Sequence, residues 1–191
     1  MLGFSKGEIV MPHQELIAQI LGIAGMTMNI LSFLQKSQKR IIVIQFFGAA
    51  LFFLNYLLLG STTGAMLNLS AVLRAIVYSN KETFHAERRV WFYGFSASFV
   101  LIYVLTFAAF GKAPTLGNLA LELLPVVSMI IATHAFSLKN AAQVRKLGLV
   151  YCPMWLIYNC FVFSIGGILC EIFSICSILV GIWRHDRVHH Q

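Results

Sequence analysis

The chain has 191 residues, of which 59% are hydrophobic and only 11% charged, and its mean hydropathy is +0.80. Soluble domains are nearer half apolar and a quarter charged, so the composition excludes an ordinary soluble core and indicates one built in a bilayer. The net charge of +7 does not indicate nucleic acid, because the basic residues lie between apolar stretches with no interleaved aromatics and read as topology determinants.

Residues 1–14 read as an external segment. The first apolar stretch, Glu15–Leu34, carries Gln19 and Asn29. No small-residue cleavage site follows it, so it reads as a membrane span rather than a signal peptide. Ile41–Leu59 and Thr62–Tyr78 follow, joined by a tight turn at Gly60–Thr63, and the second of them contains Asn68 and Arg74. Arg89–Phe110 stands alone as a linker helix within residues 81–115. Three more spans close the chain: Leu116–Phe136 with Glu122, Val144–Phe163 with Trp155 and Asn159, and Gly166–Trp183 with Glu171. Residues 184–191 form a tail. Pro125 and Pro153 fall inside spans, where each removes a backbone hydrogen bond and sets up a kink or hinge.

Sliding the sequence along itself by about 103 residues lays Met26 on Met129, Phe33 on Phe136, Lys36 on Lys139, Ser61 on Ser164 and Gly64 on Gly167. The same offset sets Gln19 against Glu122 and Asn68 against Glu171. The expected fold is therefore an all-α membrane protein of seven transmembrane helices. Two three-helix bundles, residues 15–80 and 116–183, are joined by the linker helix. The single span between them gives both copies the same orientation, a parallel repeat. Loop charge agrees with this count. Of the 14 Lys and Arg residues, eleven fall on one side, Lys6 and Lys112 on the other, and Arg74 within a span. That bias predicts a periplasmic amino terminus and a cytoplasmic carboxyl terminus.

A charged group in the apolar interior costs about 2.5–3.5 kcal/mol on insertion scales, so each one needs a reason. Glu122 and Glu171 lie about five residues, roughly 8 Å, below the outer ends of their spans. With their repeat partners Gln19 and Asn68 they form one expected polar layer between the bundles. Arg74, about 9 Å deeper, is read as a counter-ion to Glu171, as a gate on the cytoplasmic side, or as snorkelling to the inner headgroups. Asn55 and Asn159, one position out of register with each other, join Tyr56, Tyr158 and Trp155 in lining a pocket or an interfacial aromatic belt. The layer either binds a cation, a proton or a polar solute, or serves as interhelical glue at about 1 kcal/mol per hydrogen bond.

The four cysteines lie in apolar segments without CxxC or His/Cys ligand spacing, and read as buried free thiols. His185, His189 and His190 have an i, i+4 spacing that suits a metal only on a helix; a solvated tail is expected, and no cofactor. GxSxG, HExxH and P-loop patterns are missing from the sequence, and the polar layer offers no nucleophile–base pair, so an enzyme is not expected.

Two parallel three-helix bundles about a linker resemble, in topology, the SWEET, PQ-loop and PnuC group of small transporters, although the Pro-Gln pair of the PQ-loop proteins is missing. More specific are Glu122-Leu-Leu-Pro125, Trp155-Leu-Ile-Tyr-Asn159, Ser164-Ile-Gly-Gly167 followed by Glu171, and Arg74 after the Leu-Leu-Gly60 turn. In these the whole chain is similar to the YgjV family of bacterial inner-membrane proteins. The resemblance implies an inner-membrane location and no particular activity. The expected function is a small-molecule transporter or facilitator whose partners are the lipid bilayer, a small polar or cationic solute and protons, with a homo-oligomer compatible. The alternative is a non-transporting membrane receptor or assembly scaffold, since fold alone does not set function.

Overall fold

The helices end where side chains or a glycine can take over the hydrogen bonds the backbone leaves open. In the computed structural model, which describes residues 12–161 and 165–186, the elements are α1 (Pro12–Phe33), α2 (Gln38–Leu58), α3 (Thr62–Ser79), α4 (Lys81–Phe84), α5 (Arg89–Ala108), α6 (Leu116–Ser137), α7 (Ala141–Phe161) and α8 (Ile165–His185). Ser37 caps α2, its Oγ accepting from Arg40 N at 3.3 Å, and Thr115 caps α6 by accepting from Asn118 N at 3.3 Å. At the end of α2, Gly60 adopts φ +70°, Gly60 N donates to Leu57 O and Ser61 N donates to Tyr56 O. This paired closure needs a left-handed residue, which glycine adopts without a Cβ clash. The corresponding turn expected at 164–167 lies partly outside the described residues.

One expectation is corrected, and the expected number of spans is met in part. The stretch after α3, read as loop, holds the single-turn helix α4, closed by His85 at φ 48° and by Ala86 N donating to Lys81 O at 2.9 Å. Of the seven expected spans, five are long and apolar enough among the described residues to cross a membrane: α1 from His13, α2, α5, α6, and α8 from Gly166. Helices α3 and α7 occupy the expected places but are less apolar, because α3 carries Asn68 and Arg74, and α7 carries Arg145, Lys146 and Asn159. Pro125 and Pro153 sit inside uninterrupted α6 and α7.

Helix α2 packs between α1 and α3, and α7 between α6 and α8. The two groups meet along α1 and α8 and, more narrowly, along α3 and α6, where α5 packs on both. Small residues permit close approach: a Cβ on Gly48 of α2 would fall 2.7 Å from Asn29 Oδ1 of α1. The outer surface is apolar, with Ile20, Phe47, Leu57, Val104, Ile157 and Phe173 all exposed, as acyl chains require. Cys160 and Cys176 also face outward, which corrects the expectation that all four thiols are buried; only Cys152 and Cys170 are.

The last carbonyls of a helix have no partner within it, and here the opposite group supplies them. Gln38 Nε2 donates to Phe136 O at 2.6 Å and Lys81 Nζ to Leu138 O at 2.6 Å, so α2 and α4 close the end of α6. Reciprocally, Arg145 Nη1 donates to Gln35 O at 2.9 Å, and His185 Nε2 lies 3.3 Å from Leu34 O, so α7 and α8 close the end of α1. Arg145 is fully buried and also forms a two-pronged ion pair with Asp186 just past α8.

Candidate functional site

The polar residues of the spans come together around a cavity of about 110 Å³. Every long helix except α5 contributes to its wall: Asn29 and Phe33 from α1, Gln45, Phe52 and Tyr56 from α2, Asn68 and Arg74 from α3, Met129 and Phe136 from α6, Tyr151, Trp155 and Asn159 from α7, and Glu171 and Ser174 from α8. The wall is also paired along the sequence. Phe33 and Phe136, Ala49 and Cys152, Phe52 and Trp155, Tyr56 and Asn159, Asn68 and Glu171, and Ala71 and Ser174 all line it, each pair 103 residues apart.

Arg74 is 5% exposed. Its Nη1 donates to Met129 O at 3.0 Å and to Thr133 Oγ1 at 3.1 Å, and its guanidinium carbon lies 4.5 Å from the centre of the Phe136 ring. It therefore does not snorkel. Its Nε has no hydrogen-bond partner among the described residues, and no carboxylate pairs with it. Glu171 is half-buried among the helices and lines the cavity, with the Cys152 thiol close by. No cation pairs with it among the described residues.

The amides around these charges are oriented by backbone and by each other. Asn68 Nδ2 donates to Gly64 O at 2.9 Å, one turn back in α3, and Gln45 Nε2 donates to Ser32 Oγ at 3.1 Å. Asn29 Nδ2 points at Cys170 Sγ, 3.7 Å away. Asn159 is 2% exposed, and its Oδ1 accepts no hydrogen bond from the described residues. Gln45 approaches the buried Tyr151 hydroxyl, which makes no hydrogen bond of normal geometry. Buried polar atoms are ordinarily satisfied; of five that lack a partner among the described residues, Arg74 Nε, Tyr151 Oη and Asn159 Oδ1 belong to residues of this wall, and Tyr78 Oη and Ser96 Oγ lie elsewhere.

Two residues expected in the polar layer, Gln19 and Glu122, and one expected in the pocket, Asn55, lie elsewhere. Gln19 stays on the exposed side of α1, at the seam with Gly166 of α8. Asn55 is buried, but its Nδ2 donates to Ala18 O at 2.6 Å and so bolts α2 to α1. Glu122 is 1% exposed and occupied: Lys112, reaching down from the α5–α6 connection, forms an ion pair with it, and Tyr158 Oη donates to it at 3.5 Å. The expected four-residue layer is thus reduced to Asn68 and Glu171, because Glu122 is closed off by a lysine that sequence periodicity does not place. Conversely Asn29, Gln45 and Tyr151 reach the cavity without having been selected. The signal was available for the first two, since each is an amide inside an apolar span. Among the described residues no three His, Cys, Asp or Glu side chains gather as metal ligands, and His189 and His190 lie outside those residues.

No curated protein and no solved structure matches the chain. Residues 16–189 match the family model Imp-YgjV, described as bacterial inner membrane protein. That span takes in every helix wall of the cavity and the apolar outer surface that a bilayer would cover. The chain accordingly belongs to the Imp-YgjV family of bacterial inner membrane proteins.

Proposed function

We propose that the protein is a small-solute carrier of the bacterial inner membrane, with the central cavity as its binding site. In this reading all seven long helices span the membrane, α1–α3 and α6–α8 act as two parallel three-helix units, and α5 links them. The amino terminus is periplasmic and the carboxyl terminus cytoplasmic, in keeping with the loop charges. The units rock against each other and open Asn68, Arg74, Asn159 and Glu171 to either side in turn. Trp155 forms part of the wall, edge-on to Tyr158 with ring centres 5.7 Å apart. The residues bind and release rather than react, so the protein is a carrier and not an enzyme.

The observation that carries this reading is the set of unpartnered polar groups, Arg74 Nε, Tyr151 Oη and Asn159 Oδ1, on the wall of one cavity. Interhelical glue would pair them with each other. The test is thermal unfolding of the detergent-purified protein with a panel of polar metabolites at two pH values, beside Glu171→Gln, followed by uptake of any hit into proteoliposomes. A solute at a hundred times its dissociation constant stabilises by about 2.7 kcal/mol. A stabilising solute that is taken up, and to which the variant is blind, supports the carrier. A panel without effect on stability or flux returns the protein to the receptor or scaffold reading.

A further inference from the structure

We propose that the solute is a small zwitterion of amino-acid type, its carboxylate held by Arg74 and its ammonium by Glu171. The proposal rests on the reading of the cavity as a solute site and adds the chemistry of what fits it.

Arg74 and Glu171 face the same cavity, are of opposite charge type when ionised, and do not pair with each other. A buried ion without a counter-ion is costly, and proteins ordinarily pair such groups or coordinate them. The two other buried ions of the fold follow that rule: Glu122 has Lys112, and Arg145 has Asp186. Only the two on the cavity wall are left without a counter-ion among the described residues. The cavity therefore holds a guanidinium on α3 and, on α8, a carboxyl whose ionised form an incoming cation would stabilise.

The ligand classes separate on this arrangement. A simple carboxylate satisfies Arg74 and leaves Glu171 alone. A simple amine does the reverse. A neutral sugar compensates neither. A zwitterion compensates both and leaves the net charge of the site unchanged, so its movement with the bundles carries no net charge of its own.

The remaining wall fits the rest of such a molecule. The free Nε of Arg74 lies beside donors already spent on Met129 and Thr133, so the guanidinium still has an edge to offer an oxyanion. Asn159 Oδ1 is an unused acceptor for an ammonium hydrogen, and the Tyr151 hydroxyl an unused donor for a carboxylate oxygen. Phe52, Tyr56 and Trp155 provide an apolar face for a side chain. The volume of about 110 Å³ corresponds to roughly four water positions, or a solute on the order of five heavy atoms.

The experiment titrates the purified full-length protein with the standard amino acids by thermal shift and calorimetry. Any hit is then compared with its decarboxylated amine and its deaminated acid, for alanine ethylamine and propanoate. The expected result is an amino acid that binds at least about tenfold more tightly than either counterpart, with Glu171→Gln and Arg74→Lys each lowering its affinity by a similar factor. Should Arg74→Lys fail to fold, the three matched ligands on the wild type decide the question alone. Equal binding of the acid, or a Glu171→Gln protein with unchanged affinity, overturns the zwitterion. A metabolite hit confined to neutral or singly charged solutes overturns it too, yet leaves the carrier reading standing. No response to any solute in either panel removes both.

Discussion

Tyr56 on α2 and Asn159 on α7 stand at corresponding places, each laid over a glycine of the helix that follows. A Cβ on Gly64 would fall 2.8 Å from Tyr56 Cδ1, and one on Gly167 would fall 2.6 Å from Asn159 Oδ1. The neighbouring residues correspond as well: Asn55 fastens α2 to α1 through Ala18 O, and Tyr158 fastens α7 to α6 through Glu122. The dipeptide is Asn-Tyr in the first half and Tyr-Asn in the second. Sequence reasoning that matched Asn55 with Asn159 by residue type missed that position, not identity, carries the equivalence.

Gly167→Ala drives a methyl group into the Asn159 carboxamide, which must shift from its place on the cavity wall to admit it. We expect a loss of about 1–3 kcal/mol, typical of overpacking, together with loss of any solute-induced stabilisation. Gly94→Ala on α5, where a Cβ meets nothing within 4 Å, is the control. It should be neutral or stabilising by up to about 1 kcal/mol. Thermal unfolding of both variants in one detergent checks the contrast, and equal losses would show that the glycine contact is not the cause.

Arg74→Met separates binding from stability. The substitution gives up two hydrogen bonds, about 1 kcal/mol each, and removes an uncompensated buried cation whose desolvation opposes folding. These effects offset, so stability should change by less than about 1.5 kcal/mol while solute response disappears. A collapse in stability with no bound solute would instead make Arg74 a structural residue.

The Lys112–Glu122 pair should be asymmetric. Lys112 has 32% of its side chain exposed and Glu122 only 2%. After Glu122→Gln the lysine can turn to water, and the expected cost is about 1–2 kcal/mol. After Lys112→Met the carboxylate is left buried with only the Tyr158 hydroxyl, and the expected cost is about 3–5 kcal/mol. Denaturation of the two variants side by side decides, and a reversed order would contradict the burial argument.

Lys81 in α4 predicts a pH dependence. Burial lowers its pKa to about 8 from an ordinary 10.5, and the nearby Lys139 cation pushes the same way. Below pH 8 both the folded and the unfolded chain hold the proton, and the folded state bears the full penalty. Between about 8 and 10.5 the folded state has released a proton that the unfolded chain keeps, so stability rises with pH. The whole shift is worth about 3 kcal/mol, reduced to about 1 kcal/mol because the side chain is only half-buried and screened by water. Wild type should therefore gain about 1 kcal/mol over Lys81→Met between pH 8 and 10. Parallel unfolding curves across that range would contradict it.

Much of the fold was legible because it depends on properties local to the chain. Composition, the spacing of apolar stretches and the glycine turn after Leu59 place the long helices to within a few residues, since each helix must satisfy its own backbone where water is scarce. The offset of about 103 residues anticipates which positions face inward: Asn68 with Glu171, and Phe33 with Phe136, line the cavity together. Periodicity also marks a polar residue in a span as needing an explanation, and Arg74, Asn159 and Glu171 carried that mark.

The partner each polar group finds was decided by tertiary structure. Glu122 and Glu171 are alike in sequence setting and depth, yet one is neutralised by a lysine from a loop and the other opens onto the cavity. Asn55 and Asn159 are the same residue type, and one is spent on a carbonyl of α1 while the other keeps an oxygen free. Hydrogen bonds and ion pairs reach only a few ångströms, so they depend on how α5 and its loop settle on α6 and how α7 is rotated against α8. Span composition sets which residues are costly to bury; packing sets which of them are left to bind something else.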